Sequence, residues 1–130
     1  MLKLNEENFF CEGGNRDIYY YSNKTKLIKI TKEKILKERK NKANFFKRLR
    51  PLKYFSENYE DFLFFKKIKK RTKEKNFDFI PKFYGIIRTN LGYGTVSENI
   101  LNYDGTQSIN LEDFMKNKLL NNSFIQQKLI

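Results

Sequence analysis

Two hydrophobic periods divide this chain. Leu2 and Leu4 alternate with polar neighbours near the N-terminus, the pattern of a short edge strand. Leu27-Ile28-Lys29-Ile30 alternates again, placing Ile28 and Ile30 on one face and Lys29 on the other, beside Leu27. From Thr31 to Asn76 there is no glycine, and the only proline is Pro51, so the pattern predicts helix, with Pro51 either separating two helices or starting the second. Phe55, Tyr59, Phe62, Phe65 and Ile68 follow the helical period of three and four, with Glu60 and Asp61 beside that face. The run Lys66–Arg71 closes this helix, where positive charge suits the dipole. Pro81 then biases Ile80 toward extended backbone. Phe83–Ile87 reads as a strand, Asn90–Gly94 as a glycine turn and Thr95–Ile100 as the return strand. Asn102–Thr106 is a second turn, and Ser108–Lys118 a helix with Leu111, Phe114 and Met115 on one face. Asn121–Ile130 reads as the start of another helix.

Composition narrows the chemistry. The 130 residues suffice for one domain, with 13 Phe and 8 Tyr supplying bulk in the absence of Trp. There is no His, which removes His-based triads, His general bases and nearly every zinc site, and the single Cys11 can form no intrachain disulfide. A lone cysteine agrees with a reducing compartment, and no apolar run approaches bilayer length, so a cytoplasmic protein without a membrane span is expected. The formal charge of +12 raises nucleic acid or an anionic surface as a partner. Abundant Lys, Asn, Phe, Ile and Tyr together also fit an A·T-rich coding sequence, which would make many of the lysines plain solvated surface.

Two features carry candidate chemistry. Gly13-Gly14-Asn15 sits between strand-like segments and reads first as an ordinary hairpin turn. The same glycines would let backbone N–H groups approach an anion, with Arg16 adding a charge-assisted contact to phosphate. Lys29, inside an apolar strand, is either an edge residue or one reaching for a specific anion.

The order strand, glycine turn, strand, strand with a central lysine, helix, strand, strand, connector, helix is that of a protein-kinase small lobe leading into the large lobe. Glu12-Gly-Gly-Asn-Arg-Asp-Ile-Tyr, Leu27-Ile-Lys-Ile, Ile80-Pro-Lys-Phe-Tyr-Gly, Thr89-Asn-Leu-Gly-Tyr-Gly, and Tyr103-Asp-Gly followed by Leu111-Glu-Asp-Phe together resemble the YrbL family. These are bacterial proteins of the PhoP regulatory network with a kinase-like fold. The resemblance spans roughly residues 9–118 and implies an α+β fold: a small lobe over residues 1–101, then a hinge exit and first large-lobe helix over 102–130.

The same resemblance implies roles. Gly13, Gly14, Asn15 and Arg16 would form the nucleotide-covering loop, although they depart from the kinase pattern G-x-G-x-x-G. Lys29 would pair with nucleotide phosphates and with a helix carboxylate, Glu60 or Asp61. An insertion around Lys42–Ser56 loosens the alignment there. Glu98, Asn99 and Ile100 would be the hinge whose backbone reaches an adenine edge. The implied cofactor is ATP with Mg2+. No Asp-x-x-x-x-Asn loop and no Asp-Phe-Gly occurs, so no phosphoryl transfer is expected of these residues, whether the chain is a piece of a longer protein or a short non-catalytic relative. The expected partners are a nucleotide and a protein of a regulatory circuit. Two alternatives stand beside this: a non-catalytic scaffold, and a nucleic-acid module using Lys32–Arg50 and Lys66–Lys75 with interleaved aromatics.

Overall fold

The computed structural model describes residues 1–72, 80–109 and 111–118. The chain divides into two units, Met1–Asn99 and Ile100–Ile130. In the first unit, five strands form one antiparallel sheet: β1 (Phe9–Glu12), β2 (Arg16–Tyr21), β3 (Lys26–Thr31), β4 (Phe83–Thr89) and β5 (Gly92–Glu98). Their spatial order is β1-β2-β3-β5-β4, so β3 lies in the middle. Helices α1 (Glu33–Lys42), α2 (Phe45–Arg48) and α3 (Glu57–Thr72) all fall between β3 and β4. The fold is α+β.

Alternation along β3 splits the sheet into two chemically different faces. Ile28, opposite Tyr19 and Val96, and Ile30, opposite Gly94, belong to the apolar one. Ile28, Ile30 and Val96 join Leu4 in a buried core, with Leu2, Tyr19, Tyr21 and Ile87 packed against it. Gly94 is part of this packing: a Cβ there would lie 2.5 Å from Ile28 Cγ2. The expected glycine turn is thus shorter, with Asn90 and Leu91 alone between the strands and Gly92 and Gly94 inside β5.

Leu2 and Leu4 do not extend an edge strand. Leu2 makes a single bridge to Thr89, and a 3-10 turn over Glu6–Asn8 follows. The reason lies in Asn90, whose side chain accepts from Leu4 N at 2.7 Å and donates to Leu4 O at 3.0 Å. Both backbone groups of Leu4 are thereby removed from any ladder.

The segment before Pro51 also differs from one continuous helix. Ala43 and Asn44 adopt extended backbone, and Arg48 Nη2 donates to Asn41 O at 2.9 Å and Ala43 O at 3.2 Å. That guanidinium satisfies carbonyls at the end of α1 and folds α2 back beside it. Pro51 starts a 3-10 turn over Leu52–Phe55 rather than a long helix. Helix α3 begins at Ser56, whose hydroxyl accepts from Asn58 N at 3.0 Å, a side-chain cap. Its aromatic face meets β4, with Phe65 stacked on Phe83 at 4.8 Å between centroids.

In the second unit, Asp104 Oδ1 accepts from the Thr106 N–H at 3.0 Å and its hydroxyl at 2.6 Å, while Gly105 takes a positive φ of 80°. A helix runs over 111–118, with Leu111, Phe114 and Met115 exposed. The expected helix over Asn121–Ile130 and the stretch 73–79 lie outside the described residues.

Candidate functional site

Lys29 sits on the middle strand, paired with Ile18 on one side and Thr95 on the other. It is therefore not an edge residue, and its side chain occupies the sheet face opposite Ile28 and Ile30. That face is covered by the first turns of α3. Among the described residues Lys29 makes no ion pair or side-chain hydrogen bond, and no buried side-chain polar atom lacks a partner, so its half-buried ammonium is not sealed from solvent. Burial lowers its pKa below the usual 10.5, and the neighbouring Arg16 charge lowers it further, while Asp61 pulls it partly back.

Arg16, at the start of β2, is committed to α3 rather than left free for a phosphate. Its Nε lies 3.2 Å from Glu57 Oε2, and its Nη1 lies 2.6 Å from Asp61 Oδ2 and 3.3 Å from Asn58 Oδ1. Three partners within the first two turns of one helix fit the planar fork of a guanidinium. Glu57 is shared: Arg39 of α1 pairs with it, and Asn15 Nδ2 donates to it at 2.7 Å. Burial opposes the charge on Glu57, but the hydrogen bonds from Asn15 and Arg39 and the charges of Arg16 and Arg39 together hold its pKa below 4.5.

Asn58 lies at the centre and is 2 % exposed. Its Nδ2 donates to Lys29 O at 2.9 Å and Tyr93 O at 3.1 Å. Its Oδ1 accepts from Thr95 Oγ1 and from Arg16, each at 3.3 Å. One side chain thus joins β3, β5 and β2 to α3. Beside it, the buried hydroxyls of Thr31 and Ser56 bond to each other at 2.8 Å.

The expected residues divide accordingly. Asn15, Arg16, Lys29 and Asp61 come together. Gly13 and Gly14 form the β1–β2 hairpin, where Gly13 N donates to Arg16 O at 2.8 Å and a Cβ on Gly13 would lie 2.7 Å from that same oxygen. Gly13 is thus required by the turn itself. Glu60 is exposed and makes no pair among the described residues, so Asp61 is the acid that acts on Lys29. Glu98 stands three register positions from Thr95, roughly 10 Å along β5 from the strand partner of Lys29. The N–H of Glu98 donates to Lys82 O at 2.8 Å and that of Asn99 to Thr25 O at 3.0 Å. Two of the three hinge N–H groups, those of Glu98 and Asn99, are therefore spent within the fold. Ile100 belongs to the second unit and is exposed.

Glu57, Asn58 and Arg39 were not singled out by sequence reasoning. A signal for the first two existed: Ser56 directly before the aromatic-periodic run marks a helix N-terminus, and that puts Glu57 and Asn58 in the first turn. Arg39 carried no such mark among its basic neighbours.

Chemically, the cluster sets three cations, Arg16, Lys29 and Arg39, against two carboxylates, Glu57 and Asp61. The two arginines take the carboxylates in ion pairs, and the half-buried lysine ammonium makes none. Burial and the Asp17 charge raise the Cys11 thiol pKa above the usual 9.0, which disfavours its thiolate. Among the described residues, no group of three or more His, Cys, Asp or Glu side chains is arranged to hold a metal ion.

Fold and site thus define a small basic α+β domain whose middle strand presents a half-buried lysine under a helix bearing carboxylates. The family model described as PhoP regulatory network protein YrbL matches residues 2–129, and the chain belongs to that family. No curated relative and no solved structure matches the chain. No helix among the described residues is long and apolar enough to cross a membrane.

Proposed function

We propose that residues 1–99 serve the PhoP regulatory network as a kinase-like small lobe whose Lys29 receives the phosphates of a nucleotide such as ATP. The observation that carries this reading is the half-buried Lys29 ammonium on the middle strand, which feels the Asp61 charge but makes no ion pair of its own among the described residues. The phosphate end of a nucleotide fits that charge, because an opposite charge at hydrogen-bonding distance would reverse its desolvation cost. The adenine end has no such support, since the N–H groups of Glu98 and Asn99 are occupied. Mg2+ would therefore arrive with the phosphates rather than on a protein site.

On this reading the residues bind and do not transfer phosphate, and the output is regulatory, through a protein partner. Nucleotide occupancy would alter the α3 face that Arg16 and Lys29 hold. The test is calorimetric titration of the chain with Mg·ATP, beside Lys29→Ala. Measurable binding that weakens at least tenfold in the variant supports the site; equal affinity of the two proteins removes it.

A further inference from the structure

The segment between α1 and the 3-10 turn has no role in the Lys29 site, and its surface chemistry is unlike the rest of the fold. Phe45 is 70 % exposed, Phe46 82 % and Leu49 72 %. Every residue of the 44–51 stretch is exposed. Three large apolar side chains within one turn are thus held in water, where burial would be favourable. Nor are they loose: the Arg48 bonds to Asn41 O and Ala43 O pin α2 against the end of α1. Phe45 and Phe46 meet each other edge to face at 5.7 Å rather than packing inward. The fold displays this apolar tip.

Its surroundings carry charge of one sign. From Arg39 to Ser56 there is no Asp or Glu, whereas Lys40, Lys42, Lys47, Arg48, Arg50 and Lys53 all lie in that interval. Arg39 is paired with Glu57 and Arg48 bonds the carbonyls of Asn41 and Ala43, which leaves the lysines and Arg50 as the cations of this ring.

We propose that this tip docks on an anionic phospholipid bilayer, with Phe45, Phe46 and Leu49 entering the headgroup–acyl boundary and the flanking lysines and Arg50 meeting lipid phosphates. An apolar tip ringed by cations matches both layers of such a surface at once. A nucleic acid would use the cations but not the tip. Leu49 offers no face for stacking, and the edge-to-face arrangement of Phe45 and Phe46 does not present a parallel platform for successive bases.

Because the chain has no Trp, Phe46→Trp introduces a single tryptophan at the tip, excited selectively beyond the tyrosine absorption. The full chain carrying it is mixed with large vesicles of phosphatidylglycerol and phosphatidylcholine, or of phosphatidylcholine alone. The expected result is a blue-shifted emission, quenched by bromine on the upper acyl carbons, with the anionic vesicles only. Sedimentation with the same vesicles, using the unlabelled chain, should show Phe45→Ser/Leu49→Ser lost from the pellet with its circular dichroism unchanged. Lys47→Ala should weaken binding about fivefold, the worth of one cation near an anionic surface. Equal binding to both vesicle types, unshifted emission in the presence of bound vesicles, or retention of the Phe45→Ser/Leu49→Ser variant would overturn the proposal. So would tighter binding to a DNA or RNA oligonucleotide than to the anionic vesicles at equal phosphate concentration.

Discussion

Replacing Asn58 by Ala tests the proposed structural centre of the site directly. The side chain makes four hydrogen bonds, two from Nδ2 at 2.9 and 3.1 Å and two to Oδ1 at 3.3 Å. Counting the shorter pair in full and the longer pair at half weight gives about three bonds of roughly 1 kcal/mol each, so Asn58→Ala should cost about 3 kcal/mol. The loss is that large because Thr95 and Asn58 itself are almost wholly buried, and water cannot replace the missing partners. Urea unfolding followed by far-UV circular dichroism measures it, with Glu60→Ala as the control two positions along the same helix. Glu60 is exposed and unpaired among the described residues, so its removal should stay within about 0.5 kcal/mol. The midpoint should fall for Asn58→Ala at an unchanged denaturant slope, since the surface exposed on unfolding is the same. A loss below about 1 kcal/mol, indistinguishable from the Glu60 control, would refute the claim that Asn58 ties the sheet to α3.

Two further outcomes follow from the packing and the charges. Gly94→Ala should destabilise the fold by about 1–3 kcal/mol, because its methyl group would meet Ile28 Cγ2, on a side chain too stiff at χ1 to swing aside; a stability within about 0.5 kcal/mol of the parent in the same urea assay contradicts that packing. Glu57 has a folded-state pKa below 4.5, so its contribution to stability is fully present above that value and is lost as pH falls through the lower folded one. Glu57→Gln should therefore be less stable than the parent at pH 7, and the gap should close under acid; a gap independent of pH means that Glu57 titrates normally.

The strands were legible where alternation was strict. Lys29 stands between Ile28 and Ile30 in the sequence and across the sheet from them in the fold, because a period of two leaves no other placement. The aromatic helix was legible for the same kind of reason, although its start at Ser56 required attention to a single capping hydroxyl. What stayed hidden depends on partners distant in sequence. Nothing near Arg16 announces that α3, more than forty residues away, will hold its guanidinium. Asn90 arrests the N-terminal strand through two bonds to Leu4, and no local pattern encodes a contact between positions 86 residues apart. The break between α1 and α2 contains neither glycine nor proline, and it becomes intelligible only once Arg48 is seen bonded to the carbonyls that the break exposes. Gly94 looked like a turn glycine because Gly92 is one position from the turn; only the Ile28 side chain packed beneath it shows its other use.

The charge balance of the site supplies a second readout of the Lys29→Ala experiment that simple affinity lacks. Any surface lysine can attract ATP, so weakened binding in one variant does not by itself locate the phosphates. Lys29 differs from a surface lysine in having a pKa already lowered, by burial and by Arg16. In the ligand-free protein it is therefore partly deprotonated at alkaline pH short of 10.5, where an unperturbed lysine is still mostly charged. A phosphate placed against it favours the ammonium and raises that pKa, so binding under those conditions must take up a proton. Far below the lowered pKa the ammonium is already formed and the uptake vanishes. Calorimetric titrations at one alkaline pH, in buffers of different ionisation enthalpy, report the number of protons as a slope. The parent should show net uptake that falls toward zero at neutral pH, and Lys29→Ala should show less at every pH in the window. Binding with no uptake in the parent, or the same uptake in both proteins, would place the phosphates on another cation, and the role of the central-strand lysine would fall with it.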